Sequence, residues 1–344
     1  MADGVRLTLE EVNGLAVAVL LAHGASQENA KSIADTVTSA ERDECKSHGL
    51  FRIPFYVRGF EAGKVRGDAV PELVDVAPGI ARVDAHGGYA PLALDLGIDV
   101  LAQKAREKGI AALGIVNCHH VAALWPEVER LAEQGLVAFA FTSYMAFVSP
   151  AGGTQPVYGT NPMAFGWPRV GKPPLVFDQA SSVTARGEIL LHKRDDQPIP
   201  LGWAIDSDGN PTTDPTAALG GAQLPFGGYK GAAIALMVEL LAGPLIGSVF
   251  SFEASELDSD ETLPPIGGEF VMAIDPARWT PSGDSGAQLA HAEKLFAKVL
   301  EQGGTRLPSD RRYAARQRTS TEGVLIPEAL HTQIAQMAES DPDR

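Results

Sequence analysis

A hydroxyl, an imidazole and a guanidinium fall within one short stretch, Lys46-Ser47-His48-Gly49-Leu50-Phe51-Arg52, and that is where the chemistry is expected. His48 carries the one side chain whose unperturbed pKa lets it both give and take a proton near neutral pH. Ser47 can donate to or accept from the ring, Gly49 lets the backbone turn without a Cβ penalty, and Arg52 offers a planar fork suited to a carboxylate. The same residues also suit an ordinary helix end with a polar cap. The stretch alone leaves both readings open.

The elements that must position it can be read from pattern. Thr8-Leu9-Glu10-Glu11 has capping-box spacing and predicts a helix with Val12, Leu15, Ala16 and Val19 on one face, ending near His23-Gly24. A second helix, from about Ser26 through Val37 to the charges at Glu41 to Glu44, delivers the chain to Ser47 and His48. Arg82 to Ala85 reads as a short strand, Pro91 to Lys108 as a helix closed by Gly109, and Ile110 to Val116 as a buried strand. A helix from about Val121 to Gln134 and a strand from Gly135 through Phe141 complete one strand-helix-strand unit. Ser149 to Pro168, rich in Gly and Pro, reads as a long irregular segment carrying Tyr158-Gly159-Thr160-Asn161-Pro162. Such a segment either lines a site or is an ordinary surface loop. Beyond it, Leu175 to Phe177 suggests a strand ending in Asp178-Gln179-Ala180, and Val183 to Arg194 a helix. Ala232 to Ala242 suggests an apolar helix, Glu269 to Ile274 a strand, and Ser285 to Gln302 an amphipathic helix.

Several binding chemistries are excluded or left open. The chain has no Gly-x-Gly triplet, so a dinucleotide fingerprint of the Rossmann kind is absent. Gly166 to Lys172 begins like a P-loop, but Pro173 stands where a magnesium-binding Ser or Thr is required. Asp206 to Pro211 does not complete a calcium loop, because Gly209 comes too early and no Glu closes it. Phe226-Gly-Gly-Tyr-Lys-Gly231, leading into a helix, makes either an anion site of free amides plus Lys230 or a simple glycine turn. Cys118-His119-His120 invites a metal, yet three adjacent residues on a strand cannot all face one ion and no partner has zinc-site spacing, so no metal is expected. Cys45 is either a thiol activated by His48 or a small buried hydrophobe. The basic run around Arg306, Arg311 and Arg312 suits a phosphate or a solvated tail.

Composition sets wider bounds. A chain of 344 residues exceeds one comfortable core, so one large or two intertwined domains are expected. A formal charge of -15 and a pI near 4.9 argue against nucleic acid and anionic membrane as partners. Two cysteines suit a reducing compartment, and Met-Ala-Asp-Gly lacks the regions of a signal peptide, so a cytoplasmic protein is expected. Gly231 to Val249 is interrupted by Glu239 and Pro244 and reads as a buried helix rather than a membrane span.

Taken together, Ser47 to Pro54, His119 to Pro126, Tyr158 to Pro162, Leu224 to Gly231 and Arg306-Leu307-Pro308 resemble the malate/L-lactate dehydrogenase family of non-Rossmann NAD(P)H oxidoreductases. The likeness runs from about Leu7 to Ile326. Within that family it is strongest to the Δ1-piperideine-2-carboxylate/Δ1-pyrroline-2-carboxylate reductases, whose His-x-Ala-Ala-Leu-Trp-Pro run sets them apart from the hydroxyacid dehydrogenases. The resemblance implies an α/β fold with a non-Rossmann, largely antiparallel cofactor-binding domain (76–284), beside a helical domain from 1–75 completed by 285–335. It also implies a homodimer. By the same resemblance His48 is the proton donor, Ser47 and Glu188 form its relay, and Arg52 and Thr160 hold the substrate. Cofactor contacts carry over to His120, Val121, Ala122, Ala123 and Leu124, to Asp178, Gln179 and Ala180, to Tyr229 and Lys230, and to Arg306, Leu307, Pro308 and Arg311. Lys46 and Tyr229 stand where His is common, and Glu188 where Asp is usual. The implied reaction is NADPH-dependent reduction of the two cyclic imines to L-proline and L-pipecolate, with NADPH preferred over NADH because the arginines near Arg306 suit a 2′-phosphate. The alternative is an NAD(P)-dependent 2-hydroxyacid dehydrogenase.

Overall fold

In the computed structural model, which describes residues 4–258, 260 and 262–339, strand β1 (Gly4–Leu7) leads into helices α1 (Leu9–Ala22) and α2 (Gln27–Arg42). Thr8 and Glu11 form the reciprocal capping box of α1, and the Ser26 hydroxyl accepts the Asn29 N–H at the head of α2, so both helix starts follow from local side chains. Two 3-10 turns, Lys46–His48 and Leu50–Arg52, then lead directly into α3 (Ile53–Glu61), which carries Pro54 in its first turn. The middle of the chain runs β2 (Glu72–Ala77), β3 (Ile80–Asp84), α4 (Ala90–Lys108), β4 (Ile110–Cys118), α5 (Trp125–Glu133), β5 (Val137–Thr142), β6 (Met163–Trp167) and β7 (Leu175–Gln179). Gly109 closes α4 at φ 88°. There follow α6 (Arg186–Arg194), β8 (Ala204–Ile205), β9 (Pro211–Thr212), α7 (Pro215–Gly220), β10 (Ala222–Gln223), α8 (Tyr229–Ala242) and α9 (Ser251–Leu257). The chain ends with β11 (Gly267–Ile274), α10 (Gly286–Leu300), α11 (Asp310–Glu322), β12 (Val324–Pro327) and α12 (Glu328–Ala338).

The main sheet has the order β2-β3-β4-β11-β5-β6-β7. Only β3 and β4 pair in parallel; every other neighbour is antiparallel. The strand-helix-strand unit around α5 is present, but β11 is inserted between its two strands. That arrangement is not a Rossmann sheet, whose consecutive strands run parallel.

Of four apolar clusters among the described residues, three hold the main sheet and the two ends of the chain. Ile98 and Leu101 of α4 pack on Leu113 and Ile115 of β4, with Leu131 of α5 in the same cluster. Val12, Val19, Ile33, Leu50, Ile53 and Tyr56 form a second cluster with Val324, Ile326 and Ile334, and β1 pairs with β12, so the end of the described chain packs on the N-terminal helices. Leu175, Phe296 and Leu307 form a third with Phe165 and Trp167. The segment around α10 therefore covers the β6–β7 edge of the sheet, because its apolar face meets the aromatics of those strands.

Some element boundaries differ from those the sequence predicts. The helix expected from Val121 begins only at Trp125, where Pro126 occupies the first turn and supplies a pre-set φ; residues 121–124 stay irregular. The segment Ser149 to Pro168 is not irregular throughout, since β6 occupies its end. The helix expected from Val183 starts at Arg186, and the apolar helix expected from Ala232 starts at Tyr229. No helix among the described residues is long and apolar enough to cross a membrane.

Candidate active site

Strand register gathers most of the expected site at one end of the sheet. Cys118 at the end of β4 is opposite Gly267 of β11, and Glu269 is opposite Thr142 at the end of β5. Phe141 pairs with Met163, and Met163 with Gln179. The segments 119–124, 160–162, 178–180 and the start of β11 therefore emerge along a single rim, although more than a hundred residues separate the first from the last.

The Ser47–Arg52 segment is held by contacts to its own flanks. Glu41, buried at the end of α2, accepts the Leu50 N–H at 2.8 Å, and a Cβ on Gly49 would collide with that carboxylate. Burial raises the Glu41 pKa, against the pull of the Leu50 N–H. Arg52 donates from Nε to the Ser47 carbonyl at 2.9 Å, and no carboxylate among the described residues forms an ion pair with it. The guanidinium therefore keeps a face for an anionic ligand. Ser47 Oγ lies 3.1 Å from His48 Nδ1, which leaves Nε2 for a ligand. Burial, Arg52 and His120 together lower the His48 pKa to about 3, so the ring is neutral at physiological pH. The hydroxyl of Ser47 can serve either neutral tautomer, donating to Nδ1 when Nε2 carries the proton and accepting when Nδ1 carries it.

Beside it, His119 and His120 diverge. His119 Nδ1 lies 3.0 Å from the Pro264 carbonyl, whereas His120 Nε2 faces Glu127 Oε1 at 3.8 Å and Glu269 Oε2 at 3.7 Å. Cys118 instead directs its thiol toward the Gly267 carbonyl, so the three consecutive residues do not converge on one ion. Burial raises the thiol pKa of Cys45, which disfavours the nucleophilic thiolate. Asp178, at the end of β7, pairs with Arg312 at 3.0 Å, and that guanidinium lies 4.5 Å from the centre of the Trp125 ring. This bridge ties the start of α5, β7 and α11 together, although burial still raises the Asp178 pKa against the pull of Arg312.

Thr160 is positioned from beneath. Asn161, fully buried at φ 38°, donates to Glu239 Oε1 at 2.7 Å and to the Ala235 carbonyl at 3.1 Å. Glu239 also accepts the Gly159 N–H at 3.2 Å and the Ser251 N–H at 2.9 Å. The Thr160 carbonyl accepts the Ser181 N–H, and the Ser181 carbonyl accepts the Phe226 N–H, which brings 178–182 against the loop before α8. Gly227 and Gly228 there have φ of 57° and 64°, a region open to glycine. Tyr229 and Lys230 follow at the exposed first turn of α8, where main-chain amides lie beyond the reach of helical bonding. Arg306 and Arg311 are exposed and have no charged partner among the described residues, while Leu307 is buried beside them. Unpaired arginines, a glycine turn at a helix start and the 121–124 turn are the surfaces an extended phosphate-bearing cofactor needs.

One expected member is not brought in. Glu188 lies exposed in the first turn of α6, and no hydrogen bond or ion pair joins its carboxylate to Ser47 or His48 among the described residues. Conversely, sequence reasoning missed Glu41, Glu239 and Ser251, and gave no structural part to Asn161 within its motif or to Arg312 within the basic run. Glu239 had one usable signal, a lone carboxylate inside an apolar helix, which forecasts a buried polar partner.

Comparison with known proteins gives the family. Residues 7–335 match the model of the malate/L-lactate dehydrogenase family. The chain is 53% identical, over 97% of its length and all of the relative's, to the Δ1-pyrroline-2-carboxylate/Δ1-piperideine-2-carboxylate reductase of Pseudomonas aeruginosa. It is 44% identical over 97% of its length, and 98% of the other's, to a (2R)-3-sulfolactate dehydrogenase (NADP(+)) of Chromohalobacter salexigens. Among solved structures it superposes on the Δ1-piperideine-2-carboxylate reductase of Pseudomonas syringae with a TM-score of 0.92 at 41% identity, covering 97% of this chain and 99% of that one.

Proposed function

The chain belongs to the malate/L-lactate dehydrogenase family, and from that premise we propose that it reduces the C=N bond of Δ1-pyrroline-2-carboxylate and Δ1-piperideine-2-carboxylate, giving L-proline and L-pipecolate. The observation that carries this reading is the pairing of an Arg52 guanidinium free of carboxylate partners among the described residues with a neutral His48 whose Nε2 is open. A cyclic imino acid presents a carboxylate and a ring nitrogen on adjacent atoms, and those two groups answer that pair. Bound NAD(P)H would supply the hydride to C2. The π pair of C=N then becomes the nitrogen lone pair, and the protonated imine is the more electrophilic form. His48 holds that proton at the nitrogen: as the Nε2–H tautomer it delivers a hydrogen bond to the imine, and as the Nδ1–H tautomer it accepts one from the iminium. Arg52 orients the carboxylate and so fixes the ring face presented for reduction. Thr160, on its supported loop, closes the substrate side.

NADPH is the proposed cofactor, with Arg306 and Arg311 free to pair a 2′-phosphate. His120 to Leu124, Asp178 to Ala180, Tyr229, Lys230, Leu307 and Pro308 form the proposed cofactor surface. A homodimer is part of the same reading, supported by the exposed leucines 236 and 240 on α8 and Leu245 just beyond it, an apolar strip of the sort subunits cover. Initial rates with both imines, pyruvate and oxaloacetate, each with NADPH and NADH, test the reading. The expected best pair is a cyclic imine with NADPH. A 2-keto acid as best substrate would make the enzyme a 2-hydroxyacid dehydrogenase instead, and equal rates with NADH would remove the cofactor preference.

A further inference from the structure

Three buried side chains meet at the 119–124 turn. His120 comes from the turn itself, Glu127 from α5 and Glu269 from β11, where an irregularity in the pairing with β4 falls between Gly267 and Glu269; such breaks re-aim a side chain. The side chains are 5%, 5% and 0% exposed. Both Glu269 oxygens and Glu127 Oε2 lack any hydrogen-bond partner, and no Lys or Arg among the described residues forms an ion pair with either carboxylate. Two buried carboxylates in that condition are unfavourable unless one is protonated or a cation, either His120 as imidazolium or a metal ion, joins them.

The spacing says which kind. His120 Nε2 stands 3.8 Å from Glu127 Oε1 and 3.7 Å from Glu269 Oε2, too far for hydrogen bonds between them. One ligand atom from each residue lies within 4.8 Å of the others. The nearest point equidistant from three atoms so placed, in their common plane, is about 2.4 Å or less from each, inside the ~2.0–2.6 Å range of metal–nitrogen and metal–oxygen bonds. We propose that His120, Glu127 and Glu269 form a structural site for one divalent transition-metal ion. A neutral imidazole with two carboxylates suits a borderline cation of the Zn²⁺ kind better than Mg²⁺ or Ca²⁺, which take all-oxygen sets, and the two negative charges balance the ion. The ion pins the 119–124 turn to α5 and β11 and so steadies the proposed cofactor surface that His120 begins; no bond of the imine reduction is made or broken on it. Local spacing hides the site, because Glu269 is supplied by a strand far along the chain.

The test uses the full chain without a histidine tag, expressed in Zn²⁺-supplemented medium and passed through a desalting column. Metal analysis is expected to find close to one Zn²⁺ per chain. Stripping with a chelator is expected to lower Tm by a few degrees, with Zn²⁺ restoring it, and Co²⁺ in its place to show visible ligand-field bands. Glu269→Gln is expected to lower metal content at least tenfold while circular dichroism stays native. If that variant does not fold, the Co²⁺ spectrum and metal content of the wild-type chain decide alone. Wild-type protein that carries no metal and whose Tm ignores Zn²⁺, Mn²⁺ and Co²⁺ overturns the proposal, as does metal fully retained by folded Glu269→Gln.

Discussion

The Ser47–Arg52 segment and the web beneath Thr160 do comparable positioning work by opposite means. The first is local: Ser47 meets His48, Arg52 reaches back to the Ser47 carbonyl, and Glu41 holds Leu50 from nine residues away. The second is assembled at a distance, with Glu239 of α8 gathering Gly159 and Asn161 from one loop and Ser251 from the start of α9. The local segment leaves its reactive groups with open valences, whereas the remote web leaves none of its three donors unanswered. Residues that act on a ligand must stay unsatisfied by the protein, and residues that shape the site must not.

The largest expected effect tests the local half. His48→Ala is expected to lower kcat by ~10²–10⁴-fold, the usual range for a lost proton-handling group, with cofactor binding by nicotinamide fluorescence little changed. Retained turnover in the folded variant would take His48 out of the chemistry. The remote half is tested by Glu239→Ala, which strands three buried donors at ~1–3 kcal/mol each, so a loss of about 3 kcal/mol or more in denaturant stability is expected. An unchanged midpoint would mean that another acceptor takes over those donors, and the contrast between the two regions would lapse.

Next in size is Arg52→Lys, expected to raise KM for the imine by ~10–100-fold with a smaller change in kcat, since a point charge replaces a bidentate fork. KM at the wild-type value would place Arg52 among the structural residues, bonded to Ser47 and nothing more. Smaller again is a pH effect. The folded-state pKa of His48 is depressed to about 3, so below about 6.5, the ordinary His value, the unfolded chain takes up a proton that the folded ring refuses. Its contribution to stability is therefore full above that pH and falls as pH drops, by at most about 1.4 kcal/mol per unit. His48→Asn should flatten the stability–pH curve between pH 6.5 and 5; a curve of unchanged slope would mean that the ring is charged in the fold.

The same contrast explains what the sequence made legible. Capping residues and helical periodicity revealed α1 and α2, and the reactive cluster announced itself because its members are neighbours in the chain. The mostly antiparallel sheet came only through family resemblance, since nothing local in Val137 to Thr142 or Gly267 to Ile274 says that β11 will insert between β4 and β5. Asn161 and Ser251 look like ordinary loop polars until the fold brings Glu239 to them. Trp125 began its helix later than periodicity suggested because apolar spacing cannot distinguish a helix from an irregular turn that happens to bury Val121 and Leu124.

The smallest expected effect bears on the one residue that crosses from the remote class to the local one. For Glu188 to serve Ser47 or His48 it would have to reach the site from α6, yet its carboxylate is exposed there and bonded to neither. A carboxylate near the ring would favour the imidazolium, but His48 is held neutral, with burial, Arg52 and His120 all pulling its pKa down. Glu188→Gln removes the charge and keeps the size, so kcat is expected to stay within about twofold and the basic limb of the pH–rate profile to stay in place. Were kcat to fall and that limb to move to lower pH, α6 must close on the site when substrate binds, and Glu188 would then supply the third member of the relay. Glu188→Asp separates that outcome from simple destabilisation: a closing relay is sensitive to one methylene, while an exposed helical carboxylate is not.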